Sequence, residues 1–106
     1  MADDFLDRLE GVIRARKGAD PDTSYVAKLF AKGRAKIAQK LGEEATETVI
    51  AAMGDDSAAL TSEAADLMFH LLVLLADAGV SLDDVRAELE RREGVSGIDE
   101  KANRPS

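Results

Sequence analysis

The sequence predicts an all-α protein built as one domain. Three observations carry this. Apolar residues recur at helical spacing through most of the chain, no β-branched alternation interrupts them, and only two prolines occur. The chain has 106 residues, which leaves no room for a second hydrophobic core.

The first helix is read from "DDFLDRLEGVIRARKG", where Phe5, Leu6, Leu9, Val12 and Ile13 share a face and Gly18 is the stop. "ADPDT" over 19–23 is a loop. Ser24 then caps a short helix from Tyr25 to Lys32, which ends at Gly33. A third helix runs from about Arg34 to Met53, with Ile37, Leu41, Ala45, Thr48, Val49 and Ala52 on its apolar side. "GDDS" over 54–57 is a turn, and a fourth helix spans about Ala58 to Ala78. Ser81 caps a fifth, Leu82 to Arg92, with Asp84 at the capping-box position. The domain is thus expected over 1–93, followed by a polar tail over 94–106.

The fourth helix sets the expected architecture. "LMFHLLVLL" over 67–75 is apolar on nearly every face, where a surface helix shows a stripe. Four other short helices would struggle to surround it. The expectation is a homodimer, with the third and fourth helices and their symmetry mates forming a four-helix-bundle-type core. A monomer with this helix at its centre is the alternative.

Composition excludes several function classes. There is no cysteine, so neither a disulfide framework nor a thiolate metal site forms, in keeping with a cytoplasmic location. The acidic N-terminus "MADDFLDRLEG" does not read as a signal peptide. The longest apolar run is interrupted by His70 and reads as too short for a membrane span. A net charge of −7 disfavours nucleic acid and anionic membrane surfaces as partners. No Walker-type glycine loop is present, and one histidine without a nucleophile elbow argues against a serine hydrolase.

The chemistry-bearing pattern lies in "KLGEEATETVIA" and "SEAADLMFH". At about 100° per residue, Glu44 lies roughly 20° from Ile37, at the border of the apolar stripe, and Glu47 about 60° further round. Glu43 lies beyond Glu47 and faces outward. On the fourth helix Glu63 lies about 40° from Leu67, Asp66 about 60° further, and His70 between them in angle. Each helix therefore offers a carboxylate pair, E-x-x-E at Glu44 and Glu47 and E-x-x-D at Glu63 and Asp66, flanking faces that pack together. Four acids at a half-buried seam cannot all stay ionised without a cation. All-oxygen ligands suit Mg²⁺, or Mn²⁺. A solvated acidic face is the alternative. His70 is read as a support for the site through a hydrogen bond to Asp66, with plain packing and direct ligation as the other options.

Lys28, Lys32, Lys36 and Lys40 follow one another at intervals of four, with Arg34 among them. Beside a carboxylate-bound cation they suit phosphates; alone they are a solubilising face.

With these motifs in view, "SYVAKLFAKG" (24–33), "KIAQKLGEEATETVIAA" (36–52) and "SEAADLMFHLLVLLADAGVSLDDVRAELERRE" (62–93) closely resemble phosphoribosyl-ATP pyrophosphohydrolases, the second enzymes of histidine biosynthesis, within the all-α nucleotide pyrophosphohydrolases. The resemblance covers about residues 3 to 93. It implies Glu44, Glu47, Glu63 and Asp66 as metal ligands and Glu43 as an additional acid that orients water or supports the ligands. It implies Lys28, Lys32 and Lys40 as substrate-binding basic positions and a dimeric assembly. Phe69 stands where tyrosine is expected, and Arg34-Ala35 where Pro-Glu is common. The implied reaction is hydrolysis of the α–β phosphoanhydride of phosphoribosyl-ATP to phosphoribosyl-AMP and pyrophosphate. Glu43 or Glu44 would take the proton, and Glu47 would join them in catalysis. A general (d)NTP pyrophosphohydrolase and a non-catalytic helical dimerisation module are the rival readings.

Overall fold

A computed structural model describes residues 4–94, which form α1 (Phe5–Ala15), α2 (Tyr25–Lys32), α3 (Arg34–Ala52), α4 (Ser57–Ala78) and α5 (Leu82–Arg91), with no strand among the described residues. The tail expected over 94–106 lies outside these residues from Val95 onward.

Local chemistry fixes the helix ends. The Asp4 carboxylate accepts from the Asp7 N–H and the Asp7 carboxylate from the Asp4 N–H, a capping box at the start of α1. Ser24 Oγ accepts from the Ala27 N–H at 3.2 Å to begin α2. Gly33, at φ 93°, ends α2 and opens α3, a turn that a side-chain-bearing residue enters only with strain. α4 starts at Ser57, one residue earlier than the sequence reading. The cap is Asp56, whose Oδ1 accepts from the N–H groups of Ala58 and Ala59 at 3.0 and 3.2 Å. Ser81 and Asp84 form the expected capping box of α5, which closes at Arg91 with Arg92 as its C-cap.

α3 and α4 form an antiparallel hairpin. The start of α3 meets the end of α4, where Arg34 Nε lies 2.6 Å from Asp77 Oδ2. α1 packs on α4, and α2 on both members of the hairpin. The core sits at this end: Ile13 from α1, Leu29 from α2, Ile37 from α3, and Leu72, Val73 and Ala76 from α4. Each large apolar side chain buried here contributes roughly 1.5–3 kcal/mol. α5 is tied back to α1 by polar contacts. Glu10 accepts from the Leu82 N–H at 2.7 Å, and the Arg86 guanidinium gathers Asp7, Asp83 and Asp4 at 2.6, 2.9 and 3.1 Å.

The apolar stripes extend further than the cover a single chain provides. Phe5 and Val12 of α1 are exposed, as are Val49 and Ala52 of α3. The covering helices reach only the end of the hairpin near Ile37, so the stripe emerges beyond Thr48, and Met53 is 78% exposed. On α4, Val73 is fully buried while Met68 and Leu71 remain exposed. The length of this helix also corrects the sequence reading. At 22 residues, with a mean hydropathy of 1.5 over an 18-residue window, α4 is long and apolar enough to cross a membrane by length and composition. What it does in this fold is serve as the element on which α1, α2 and α3 pack.

Candidate active site

The hairpin brings the two carboxylate pairs together. The Thr48 hydroxyl donates to the Glu44 carbonyl at 2.8 Å and lies 3.2 Å from the Glu63 carbonyl, so one side chain sets the register of the two acid-bearing turns. Above that contact, Glu44, Glu63 and Asp66 each offer one carboxylate oxygen, and these three atoms lie within 4.8 Å of one another. Glu44 Oε2 and Glu63 Oε1 are buried and have no hydrogen-bond partner. Buried oxygens are almost always paired, because leaving one unpaired costs the desolvation of that group. The donor set is all oxygen and all anionic, and two of its atoms lack a partner, so a hard divalent cation fits it.

Glu47 stands next to this triad on the exposed side. Burial pushes the Glu63 carboxyl above its ordinary value, and the charges of Glu47, Glu44 and Asp66 and a hydrogen bond with Glu47 push the same way. The ion pairs of the described residues pass the four carboxylates by. Lys40 pairs instead with Glu43, at 3.4 Å.

Glu43 is not part of the cluster. It is exposed, Gln39 Nε2 donates to its Oε2 at 3.0 Å, and the Gln39 and Lys40 hydrogen bonds hold its carboxyl below its ordinary value. Lys40 is half-buried, and its ammonium is stabilised first by the hydrogen bond to Glu43 and also by the charge of Glu44. Lys28 and Lys32 are exposed on α2. Arg34 does not join the lysines. Its guanidinium is held by the Asp77 carboxylate and carbonyl at the far end of the hairpin, where Lys17 also reaches the Asp77 carbonyl.

His70 is buried, 6% exposed, four residues after Asp66 on α4. It does bond Asp66, but through the backbone: Nδ1 lies 2.9 Å from the Asp66 carbonyl oxygen rather than the carboxylate. Four residues along a helix, the ring reaches back over that carbonyl, while the carboxylate projects toward the triad. Nε2 lies 3.2 Å from the Tyr25 hydroxyl. With both nitrogens engaged, the ring supports the turn that carries Asp66 and presents no free lone pair to an ion.

Tyr25 was not singled out by the sequence reading. It stacks on Phe69, with ring centroids 6.4 Å apart and planes at 22°, and His70 meets both rings edge-on. The hydroxyl of this aromatic group comes from α2, while Phe69 supplies the apolar backing. The chain's single tyrosine, set one residue after a helix cap, was the available signal. The 45 residues that separate it from His70 hid the contact.

Comparison with known proteins points to one family. The family model described as phosphoribosyl-ATP pyrophosphohydrolase matches residues 6–93. The chain is 70% identical over 100 residues to the phosphoribosyl-ATP pyrophosphatase of Rhizorhabdus wittichii, covering 94% of each. It is 66% identical over 99 residues to that of Erythrobacter litoralis, covering 93% of this chain and 95% of the relative. With that of Azospirillum brasilense it shares 61% identity over 101 residues, covering 95% of this chain and 91% of the relative.

Proposed function

The chain belongs to the phosphoribosyl-ATP pyrophosphohydrolase family, and from that membership we propose how its carboxylates carry the hydrolysis. It is an enzyme of histidine biosynthesis that hydrolyses phosphoribosyl-ATP. The reading is that the α–β phosphoanhydride is cut, giving phosphoribosyl-AMP and pyrophosphate. The observation that carries the mechanism is the pair of buried oxygens without partners, Glu44 Oε2 and Glu63 Oε1, inside a three-carboxylate cluster.

Glu44, Glu63 and Asp66 would hold Mg²⁺, or Mn²⁺ in its place, with Glu47 as the fourth carboxylate beside Glu63. When bound, such an ion neutralises phosphate oxygens and makes the attacking water easier to deprotonate. The chain's own residues supply the rest. Glu44 is the better proton acceptor of the two glutamates the sequence offered. Its Oε2 has no partner, whereas both Glu43 oxygens are engaged and the Glu43 carboxyl is held low. The water oxygen forms the new bond to phosphorus, its proton passes to Glu44, and the anhydride oxygen leaves with pyrophosphate. Lys28, Lys32 and Lys40 neutralise the charge that gathers on that leaving group. Glu43 fixes Lys40 by its ion pair.

A second copy of the chain would cover Met68 and Leu71 of α4 and Val49, Ile50 and Met53 of α3, completing the four-helix core of a homodimer. The enzyme would act in the cytoplasm on a small-molecule substrate, with neither nucleic acid nor membrane as partner.

The test is pyrophosphate release from phosphoribosyl-ATP beside a panel of NTPs and dNTPs, with and without Mg²⁺. The expected result is Mg²⁺-dependent turnover with a marked preference for phosphoribosyl-ATP. A preference for a plain nucleotide, or turnover indifferent to chelator, would overturn the proposal.

A further inference from the structure

We propose that Lys36 holds the terminal phosphate of the leaving pyrophosphate, and thereby makes the site prefer a triphosphate chain to a diphosphate one. The inference rests on the reading above and adds a residue and a specificity to it.

Lys36 is the one lysine of the 28–40 series that the proposed reaction leaves without a task. It is half-buried, and it has neither an ion pair nor a hydrogen-bond partner among the described residues. An ammonium that has given up part of its water gains more from an anion than a fully hydrated one does. The cations on either side of it are already engaged. Arg34 is held by Asp77, and Lys40 pairs with Glu43 at 3.4 Å. Lys40 therefore shares its charge, whereas no carboxylate pairs with Lys36.

α3 carries Lys36 on the same side as the acids. At about 100° per residue it lies within roughly 40° of Lys40, Glu43 and Glu47 around the helix. Lys40 precedes Glu44 by one turn, about 6 Å of rise, and Lys36 by two, about 12 Å. The Glu43 carboxyl is held low first by the hydrogen bonds from Gln39 and Lys40, and the charge of Lys36 adds to them, so Lys36 is felt on this face. Lys28 and Lys32 belong to α2, which ends at Gly33 where α3 begins, so all four lysines lie toward one end of the hairpin. The leaving group extends to that end.

A triphosphate has two anhydride bonds of the same chemistry, and three carboxylates around a cation do not tell them apart. What differs is the length of chain beyond the bond that breaks. Cleavage between α and β leaves two phosphates there, and cleavage between β and γ leaves one. Lys40 and Lys36 offer two cations in succession along α3, a match to two phosphates. The terminal phosphate carries more charge than the middle one, so the lysine without an acid partner suits it. A lysine stem is long enough to follow a flexible chain with a point charge.

The experiment is steady-state turnover of phosphoribosyl-ATP in Mg²⁺ by wild type, Lys36→Met and Lys36→Arg, with pyrophosphate and phosphoribosyl-ADP as inhibitors. Methionine keeps the half-buried stem and removes the charge. In Lys36→Met, kcat/KM should fall about 10-fold and pyrophosphate inhibition should weaken by a similar factor, the loss of one charge-assisted contact. Inhibition by phosphoribosyl-ADP, which has no terminal γ-phosphate, should stay within about two-fold. Lys36→Arg should recover most of both losses. Unchanged kcat/KM or unchanged pyrophosphate inhibition overturns the proposal. So does phosphoribosyl-ADP inhibition weakened as much as that by pyrophosphate, because Lys36 would then act on the whole site. An arginine variant as impaired as the methionine one overturns it too, since packing would be at stake and not charge. Failure of the proposed function is distinct from all of these and shows as absent pyrophosphate release by the wild type.

Discussion

Replacing Glu63 by glutamine should raise the melting temperature of the metal-free protein and lower that of the metal-bound protein relative to wild type. In the metal-free fold the Glu63 carboxylate is partly desolvated and stands beside Glu47, Glu44 and Asp66, so its pKa is raised above the ordinary glutamate value of 4.5. A carboxyl raised in this way favours the fold while protonated. Its contribution is fully present below the unfolded value and is lost as pH rises through the folded one. At neutral pH the charged group therefore works against folding. Glutamine keeps the shape, removes the charge and can donate a hydrogen bond toward Glu44 Oε2, which has no partner. Bound cation reverses the order. A ligand present at about one hundred times its Kd stabilises the folded state by ~2.7 kcal/mol. For a domain of this size that is roughly 10–20 °C in Tm. The variant lacks one of the three converging oxygens and should gain only a small part of it. Calorimetric melts at neutral pH, in chelator and in saturating Mg²⁺, read both numbers. A variant less stable than wild type under both conditions would refute the reasoning, since Glu63 would then be an ordinary structural residue.

Glu47→Gln should leave the fold intact by circular dichroism while lowering kcat/KM about 10- to 100-fold, the usual cost of removing a group that tunes a metal site. Thr48→Val removes the hydroxyl that joins the Glu44 and Glu63 turns. Urea unfolding should show a loss of about 1 kcal/mol, and Mg²⁺ affinity should fall with it. Acid should weaken the fold through different groups. Arg91 and Arg92 hold Glu88 down to about 2, and Arg86 holds Asp7 below its ordinary value. Depressed carboxyls stabilise above their unfolded pKa, so this contribution should be lost as pH falls from about 4.5 toward about 2. These groups are largely at the surface, so denaturant midpoints against pH should show a smaller loss in high salt.

Much of this was legible because local chemistry decides it. Ser24 and Gly33 bracket α2 at Tyr25 and Lys32 as the sequence indicated, since a hydroxyl cap and a positive-φ stop leave little choice. At α4 the reading slipped by one residue, because Asp56 and Ser57 are both cap-forming types and only the backbone contacts decide between them. The carboxylate cluster was legible from i,i+3 spacing on two facing helices, which places three of the four oxygens together and Glu47 beside them. Periodicity marked Phe5, Val12, Val49 and Ala52 as lying on apolar faces, and in the single chain they are exposed. It says which face of a helix is apolar, not how far along the helix a neighbour covers it. Arg34 was grouped with lysines because they adjoin it in sequence, and its partner Asp77 is 43 residues away. The Tyr25–His70 contact joins two helices with no shared local pattern and was missed for the same reason.

A Mn²⁺ titration followed by electron paramagnetic resonance, on wild type and Glu44→Gln, measures whether the carboxylates hold a cation. Saturable binding by the wild type that the variant loses is the result expected. Absent binding, or binding that the variant retains unchanged, would contradict the account.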